Sequence, residues 1–545
     1  MNSVKIDMRF LSAMEKVFSN DTLGKELTSV SALKNERLNF QLSVRSAFSM
    51  KKLRYEVKSA LAPYVQVRLV DYAKGYYNTR PDSDGYTLFQ DGRETLFPDI
   101  LRPCPFKEIF LYTDAWTTLW FTIYATEDIP VGEHPFTVQL YDEEMLVAEQ
   151  TLIVRILDAR LEENDLIISN WLYYDGLMKY YGVEAFSEEF YNILDPYMRS
   201  AFTHGINTLY LPLFTPPLDT QIGLNLDTIQ TVKITKNKDV YTFDFSELKK
   251  LIGFAMERGA KYFELSHLAT QWGAKFTPKI MAMVDSEDKQ IFGWDMSALG
   301  EEYKTFLKAF LPELIVVLKE LKIKDRCFLH ISDEPLESHL ETYLELKNLI
   351  KEYVEGVPVM DALSSYDFFE KQAVDIPVVD IVHTEKFQVK QIKHLVYYFC
   401  ANHKQYVPNR FLNMPSQRNR ILGFQLYLND VLGFLHWGFN YYKTYLSKEY
   451  IDPFMITDAG GLFQSGDSFV VYPTMDCVWE SLRLEVFSDG IEDYRALKTL
   501  ERKRGKEFTK KLLEQEGLDG YTRYPRSSDW HLSFREKLNE LIAED

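Results

Sequence analysis

Two adjacent carboxylic acids, Asp333 and Glu334, stand where a short apolar segment of the chain ends. The preceding run, Cys327–Ser332, has a composition suited to a β-strand, and Pro335 prevents that strand from continuing. Parallel strands commonly present ligand-binding residues at their carboxyl ends. Repulsion between neighbouring carboxylates raises one pKa, so that one group holds a proton while the other stays ionised. The pair therefore predicts acid-catalysed hydrolysis of a glycosidic bond. The alternative is an acidic loop without catalytic role.

These acids need a scaffold, and the hydrophobic pattern from about residue 160 to 445 predicts alternating strands and helices. Helical periodicity is clearest over Glu301–Leu321 and Leu340–Val354. The predicted strands are Leu166–Leu172, Thr208–Phe214, Tyr262–Leu268, Cys327–Ser332, Val357–Ala362, Val378–His383, Leu395–Cys400 and Val431–Trp437. About eight strands with intervening helices are typical of a (β/α)8 TIM barrel, in which the acid pair closes the fourth strand.

The regions that flank this barrel have different patterns. Residues 1–155 alternate apolar and polar side chains between turn clusters, which predicts an N-terminal antiparallel β-sandwich. The catalytic barrel is assigned to residues 156–450. Residues 451–545 are predicted to form a small, mainly helical module with helices at Glu492–Arg502 and Ser533–Ala543. The expected fold class is a multidomain α/β protein.

Composition narrows the class of partner. The chain has 80 acidic and 62 basic residues and a formal net charge of −18, which argues against nucleic acid and anionic membranes as partners. The first residues lack the apolar core of a signal peptide, and no run is long enough to span a bilayer, so a cytoplasmic location is expected. A homodimer is compatible with a barrel of this size. No cofactor or metal is expected, because metal-ligand spacing is missing among Cys104, Cys327, Cys400 and Cys477.

Aromatic and polar side chains recur at the predicted strand ends. Trp and Tyr stack on the apolar faces of sugar rings, while Asn, Asp and His bind hydroxyl groups, so the repetition indicates an uncharged polyhydroxylated ligand. Taken singly, each of these residues is more often structural. The candidate substrate-binding residues are Asn170, Trp171, Tyr174, Asp175, His267, Trp272, Asp361, Tyr397, Tyr398, His436, Trp437 and Asn440.

The seventh predicted strand ends without a carboxylate. Many sugar-cleaving barrels place a nucleophilic carboxylate there, about 5 Å from the acid. A substrate with a 2-acetamido group supplies its own nucleophile, the carbonyl oxygen, and then needs one carboxylate to orient that group and one acid to protonate the leaving oxygen. Asp333 and Glu334 suit these two roles. Two alternatives stay open, namely an enzyme nucleophile at Asp361 or Glu385, and a carbohydrate-binding barrel without catalysis.

Two motifs are the most distinctive in the sequence: Asp-Glu-Pro within Ile331–Pro335, and Asp-Gly-Ile-Glu-Asp-Tyr at Asp489–Tyr494. The other motifs are Asn170–Asp175, His204–Asn207, Thr215–Thr220, His267–Gly273, Asn409–Phe411 and Gly433–Gly438. Together, and over nearly the whole chain, they resemble glycoside hydrolase family 123 and the related bacterial proteins grouped as DUF4091.

The resemblance implies an exo-acting, retaining β-N-acetylgalactosaminidase, an enzyme of class EC 3.2.1. Its substrates would be oligosaccharides or glycoconjugates with a terminal N-acetylhexosamine. Asp333 would stabilise an oxazolinium intermediate, and Glu334 would serve first as acid and then as base. The resemblance also implies contacts with the substrate. Tyr397 or Tyr398 would bind the acetamido oxygen, and His267 and Asp361 would bind hydroxyl groups. The residues implied to stack on the sugar are Trp171, Trp272 and Trp437.

Two motifs and one basic cluster are predicted to be structural. Asp489–Tyr494 has the composition of a helix start, with Asp489 near the N-cap and acids in the first turn. His204-Gly205 is typical of a helix C-cap. The third feature, a basic cluster expected to pair with acidic side chains, consists of Arg410, Arg418 and Arg420.

Overall fold

The computed structural model describes residues 6–76, 83–90, 94–238, 240–363, 365–398, 405–475 and 478–544. Cys400, Cys477 and the end of the predicted strand Leu395–Cys400 lie outside these ranges. Cys104 and Cys327 are free thiols. In the part of the chain that is described, no helix combines the length and apolar character needed to cross a membrane.

The first 160 residues form two β-sheets that share one hydrophobic core. Their strands are β1 (Ile6–Ser12), β2 (Ser29–Lys34), β3 (Glu36–Ser46), β4 (Met50–Lys58), β5 (Val65–Tyr76), β6 (Glu94–Pro103), β7 (Glu108–Leu111), β8 (Thr117–Ala125), β9 (Gly132–Asp142) and β10 (Met145–Arg160). One sheet runs β1-β3-β8-β5-β6 and the other β2-β10-β9-β4-β7. Alternating side chains bring Phe40 and Phe121 of the first sheet against Phe136 of the second, with ring centroids 5.2 and 5.4 Å apart.

The middle of the chain contains a nearly closed barrel of eight parallel strands, as the alternating pattern predicted. The strands of this region are β11 (Ile167–Asn170), β12 (Thr208–Leu211), β13 (Lys233–Asn237), β14 (Val240–Asp244), β15 (Tyr262–Leu265), β16 (Ile280–Val284), β17 (Glu287–Phe292), β18 (Cys327–Leu329), β19 (Met360–Leu363), β20 (Ile376–Asp380), β21 (Leu395–Tyr397) and β22 (Gly433–His436). The barrel order is β18-β15-β12-β11-β22-β21-β20-β19. A bridge between Leu329 and Val359 links the two outer strands of this order.

Helices surround the barrel and form most of the last part of the chain. They are α1 (Tyr174–Tyr181), α2 (Glu188–Thr203), α3 (Ser246–Met256), α4 (Glu301–Glu320), α5 (Leu340–Ile350), α6 (Tyr366–Glu370), α7 (Glu385–Val389), α8 (Gln417–Arg420), α9 (Leu422–Leu428), α10 (Leu482–Arg504), α11 (Lys506–Gln515) and α12 (Ser528–Ala543). The predicted C-cap at His204-Gly205 is confirmed, because α2 ends there and Gly205 has a φ of +87°.

Two parts of the fold differ from the predictions. The strands β13, β14, β16 and β17 form a separate four-stranded sheet, which the sequence pattern did not reveal. After residue 450, β23 (Val471–Pro473) and β24 (Val478–Ser481) extend the first N-terminal sheet, because β24 pairs with β6. This region is therefore helical with a strand pair attached to the N-terminal sheet.

The prediction that Asp489–Tyr494 starts a helix is wrong. Helix α10 begins at Leu482, where the Ser481 side chain accepts a hydrogen bond from Leu484 N. The helix is buried on all sides over its first four turns, so no polar face marks its beginning in the sequence. The predicted acidic partners are found for Arg418, which bonds Asp84, and for Arg420, which bonds Asp493.

Candidate active site

A cavity of about 230 Å³ opens at the carboxyl ends of the barrel strands. Its walls are mainly aromatic and carry three carboxyl groups. Within the described residues, no lysine or arginine lines it. The lining residues are Trp171, Tyr173, Leu218, Asp219, Gln271, Trp272, Asp333, Glu334, Ala362, Tyr397, Tyr398, Leu435, His436, Trp437, Tyr445 and Phe463.

The cavity brings together both predicted catalytic acids and half of the predicted substrate-binding residues. The latter are Trp171, Trp272, Tyr397, Tyr398, His436 and Trp437. Tyr174 and Asp175 line a smaller neighbouring cavity behind Tyr173 and Leu218, where Asp175 accepts a hydrogen bond from Lys443 at 2.7 Å.

The other predicted residues line neither cavity. Asn440 is fully buried and holds the backbone of Tyr173 through two hydrogen bonds of 2.7 and 3.0 Å. Asn170 lies buried at the end of β11, next to His436. His267 and Asp361 are packed beneath the cavity, with exposures of 1% and 0%.

Several cavity residues were not among the predicted contacts. Asp219 and Gln271 follow the second and third barrel strands, so their strand-end position was the signal that could have identified them. Tyr445 and Phe463 come from the segments after β22. Phe463 packs against Trp437 with ring centroids 5.1 Å apart. No local pattern marks it, because it lies in a loop of the region assigned to the C-terminal module.

The backbone around the acids is held in an uncommon conformation. Glu334, Trp272 and Asp219 have φ angles of +43°, +57° and +39°, in the left-handed region that residues with a β-carbon rarely adopt. Trp272 N donates to the Asp333 carbonyl oxygen at 2.9 Å. Ser332 Oγ donates to the Thr270 carbonyl oxygen at 2.8 Å. The loops after β15 and β18 therefore fix each other.

The environment raises the pKa of all three cavity carboxyl groups. Burial raises the pKa of Asp333 well above its usual value, and the neighbouring charges of Glu334 and Asp361 add to the effect. Burial among protein atoms also raises the pKa of Glu334, although its side chain reaches solvent through the cavity mouth. A hydrogen bond of 3.2 Å from the Tyr397 hydroxyl partly opposes that increase. Burial raises the pKa of Asp219, and a hydrogen bond with Tyr441 opposes it.

This arrangement suits an acid pair that holds one proton. Two adjacent carboxyl groups without a cation in contact resist double ionisation, so a proton stays on the pair to higher pH than on an isolated acid. Glu334 is the member that faces the open cavity. The aromatic walls around it would exclude water from a bound ring and present apolar faces to it. The site can therefore protonate a leaving group on a small, uncharged ligand.

Neither of the two predicted alternative nucleophiles lies in the cavity. Asp361 accepts hydrogen bonds from Ile331 N at 3.0 Å and Ser332 N at 3.2 Å, and its other oxygen contacts His330 at 2.9 Å. Glu385 begins α7 on the exposed surface. The only additional carboxyl group among the described lining residues is Asp219.

Comparison with known proteins gives a family match and a structure with a similar fold. A family model described as glycoside hydrolase 123, catalytic domain, matches residues 171–500, more than half of the chain. A family 123 glycoside hydrolase from Clostridium perfringens, solved in a study of glycolipid glycan hydrolysis, is similar over 99% of this chain and 98% of its own. Its sequence identity is 14% and its TM-score is 0.75, so the two proteins share a fold.

Other solved glycosidases overlap much less well. A family 5 xyloglucanase from Bacteroides ovatus covers 86% of this chain and 99% of its own at 8% identity and a TM-score of 0.31. A family 2 glycosyl hydrolase from Bacteroides cellulosilyticus covers 79% of this chain and 44% of its own at 10% identity and a TM-score of 0.28. No curated protein matches the sequence.

Proposed function

The chain belongs to glycoside hydrolase family 123, and on that basis we propose that it is an exo-acting, retaining glycosidase that releases terminal β-linked N-acetylgalactosamine. The observation that carries the proposal is the pair Asp333–Glu334 in an aromatic cavity, with no carboxyl group on the seventh strand within the described residues. The 2-acetamido group of the substrate then supplies the nucleophile.

In the first step Glu334 donates its proton to the glycosidic oxygen, and the bond from that oxygen to the anomeric carbon breaks. The acetamido carbonyl oxygen attacks the same carbon from the opposite face and forms an oxazolinium ion. Asp333, as a carboxylate, accepts a hydrogen bond from the acetamido N–H and stabilises the positive charge. The raised pKa of Glu334 keeps the acid protonated nearer to neutral pH.

In the second step the ionised Glu334 takes a proton from water as that water attacks the anomeric carbon. The bond to the acetamido oxygen breaks, and the sugar leaves with its original configuration. Glu334 is again protonated, so both carboxyl groups return to their starting state. Two inversions at one carbon give net retention.

The size of the cavity supports recognition of a single terminal sugar. Its volume of about 230 Å³ suits one ring better than an extended chain.

Of the two candidate tyrosines, Tyr397 directs its hydroxyl at Glu334 Oε1, whereas the Tyr398 hydroxyl donates to Asn419 at 3.1 Å. We therefore assign the contact with the acetamido oxygen to Tyr397.

A second candidate function follows from Asp219. This carboxyl group lies in the same cavity, where none of the described lining residues is a lysine or an arginine. As a carboxylate it could attack the anomeric carbon directly, as in ordinary retaining glycosidases. Such an enzyme would cleave sugars that lack the acetamido group.

The experiment that tests the proposal compares nitrophenyl β-glycosides of N-acetylgalactosamine, N-acetylglucosamine and galactose at several pH values. Cleavage of the first alone, with inhibition by a thiazoline analogue of the oxazolinium ion, is the expected result. Cleavage of the plain galactoside, lost in Asp219→Asn, would establish the second candidate instead. Tight binding of the thiazoline without hydrolysis of any glycoside would identify a binding barrel.

A further inference from the structure

A group of buried ionisable side chains lies directly beneath the cavity floor. It consists of Glu264 in β15, His267 after β15, His330 after β18 and Asp361 in β19. Each has an exposure of at most 1%, and none lines the cavity. The four residues are thus too deep to touch a ligand, yet they lie between the barrel interior and the acid pair.

His330 forms the centre of this group because both of its ring nitrogens face carboxylates. Nε2 lies 3.1 Å from Glu264 Oε2, and Nδ1 lies 2.9 Å from Asp361 Oδ1. A carboxylate only accepts hydrogen bonds, so both nitrogens must donate, which requires the imidazolium form. Burial alone would lower the pKa of His330, but the hydrogen bonds to Asp361 and Glu264 raise that pKa to about 10.

Each of the two carboxylates also holds a part of the cavity. Glu264 Oε2 accepts a hydrogen bond of 2.6 Å from Trp171 Nε1, and the Trp171 ring forms part of the cavity wall. Asp361 Oδ2 accepts the backbone N–H groups of Ile331 and Ser332, the two residues before Asp333. The Tyr343 hydroxyl donates to the same oxygen. One imidazolium therefore connects the aromatic wall with the loop that carries the acids.

We propose that His330 is a positioning residue, which as a buried imidazolium between Glu264 and Asp361 fixes the Asp333–Glu334 loop and the Trp171 ring in one arrangement. If His330 carried no positive charge, the carboxylates of Glu264 and Asp361 would face each other in a dry interior, beneath a third carboxyl group, that of Asp333. Their repulsion would loosen both attachments. The activity assay for this proposal rests on the proposed function. The charge on His330 can be measured without assuming that function.

The same side chains have the types that bind metals, since His267, His330 and Asp361 place ligand atoms within 4.8 Å of one another. Their geometry favours the hydrogen-bonded arrangement. The rings of His267 and His330 are stacked, with centroids 4.5 Å apart and planes at 21°. Nearly parallel, stacked imidazoles direct their lone pairs side by side and not toward a common point, whereas a metal must lie in the plane of each ring.

The first test compares His330→Gln with His204→Gln in the full-length protein. His204 is a matched control because it is equally buried and its Nε2 lies 3.2 Å from Glu485 Oε1. It precedes β12, so it lies at the amino-terminal end of the barrel strands, opposite the cavity. Steady-state kinetics on the N-acetylgalactosaminide are measured at a temperature at which both variants keep the wild-type circular dichroism spectrum.

We expect kcat of His330→Gln to fall about 100-fold, as for a displaced catalytic group, with a smaller rise in KM from the loosened Trp171. The acidic limb of its pH profile should move to higher pH, because the His330 charge favours ionised Asp333. The titratable groups that face His330 are Glu264, Asp361, His267, Tyr210 and Asp333. His204→Gln should lower the thermal midpoint without changing kcat or the pH limb. Wild-type kcat and an unmoved limb in His330→Gln would overturn the proposal.

The second test needs no activity, and its main observation is made on the wild-type protein. In protein labelled with ¹⁵N-histidine, the His330 ring should keep the two equivalent shifts of an imidazolium from pH 6 to pH 9. Loss of this signal in a folded His330→Gln or His330→Asn would assign it. Absence of any persistent imidazolium would overturn the proposal, even if the enzyme assay failed for lack of the proposed substrate.

Discussion

Carboxyl groups surrounded by protein atoms occur in two regions of the molecule, and the charges near them are opposite in the two regions. At the cavity, Asp219, Asp333 and Glu334 face aromatic walls that contain no lysine or arginine among the described lining residues. At the interface of the N-terminal sheet with α10, Glu485 is fully buried and accepts hydrogen bonds from Arg37 at 2.8 Å and from Asn39 at 3.1 Å. Arg68 forms a further ion pair with Glu485.

The difference decides which acids can do chemistry. Burial raises the pKa of any carboxyl group, and no lysine or arginine among the described lining residues of the cavity reverses that effect. At the interface burial has the same tendency, but Arg37 and Arg68 hold the pKa of Glu485 well below its usual value. An acid that keeps its proton can donate it, whereas a permanently ionised acid bound by two arginines joins two parts of the fold.

The largest expected effect is on catalysis, in Glu334→Gln. Loss of the general acid should lower turnover of an unactivated substrate about 10²- to 10⁴-fold, because the leaving oxygen must depart unprotonated. The thermal midpoint should stay the same or rise. Hydrolysis of an unactivated oligosaccharide and of an activated nitrophenyl glycoside should be compared, since the activated leaving group needs less protonation. Equal losses for both substrates would contradict the assignment of Glu334 as the acid.

The corresponding change at the interface, Glu485→Gln, should have the opposite profile. It leaves Arg37 and Arg68 buried without their shared carboxylate, which should lower the free energy of unfolding by about 3–5 kcal/mol. The kcat of the molecules that stay folded should be unchanged. Urea unfolding followed by circular dichroism measures the first quantity, and kinetics in the absence of urea measure the second. A stable but slow variant would show that the interface influences the cavity.

The two regions should also respond to pH with opposite sign, which the variants Asp333→Asn and Glu485→Gln can show. The folded pKa of Asp333 lies above that of the unfolded chain, so between these values the folded protein binds more protons. Its free energy of unfolding therefore falls as the pH rises through that interval. Asp333→Asn should thus be more stable than wild type at neutral pH, and the gain should disappear at about pH 4, near the ordinary carboxyl pKa.

For Glu485 the folded pKa lies below the unfolded one, so its stabilisation is present above the ordinary carboxyl range and is lost as the pH falls through the folded pKa. The deficit of Glu485→Gln should therefore be largest at neutral pH and shrink in acid. Thermal midpoints of both variants relative to wild type, measured from pH 4 to pH 8, provide the comparison. Differences that change in the same direction would contradict this separation of the two regions.

The adjacent acids Asp333 and Glu334 were predictable from sequence because their signal is local. An apolar strand, two carboxylates and a proline identify the end of β18 without knowledge of the rest of the fold. His267 and Asp361 show the limit of this reasoning, since a residue near a strand end can point into the cavity or beneath it, and spacing alone does not distinguish the two.

Phe463 shows a second limit. Its loop is held by Arg483, which donates to the carbonyl oxygen of Phe469 and pairs with Asp99 of β6, and a contact between such distant segments leaves no local pattern.

The smallest expected effect is that of Tyr397→Phe, which changes the cavity by one hydroxyl group. That hydroxyl lowers the pKa of Glu334 through its 3.2 Å hydrogen bond, so its removal should move the basic limb of the pH profile to higher pH. The lost hydrogen bond should cost about 0.5–1.5 kcal/mol in kcat/KM, a factor of about two to ten. Tyr398→Phe is the matched control, because its hydroxyl bonds Asn419 and should leave the limb unmoved. If the basic limb moved only in Tyr398→Phe, Tyr398 would be the residue that bonds Glu334, and the acetamido contact would be assigned to it. If the limb moved in neither variant, burial and not this tyrosine pair would govern the proton on Glu334.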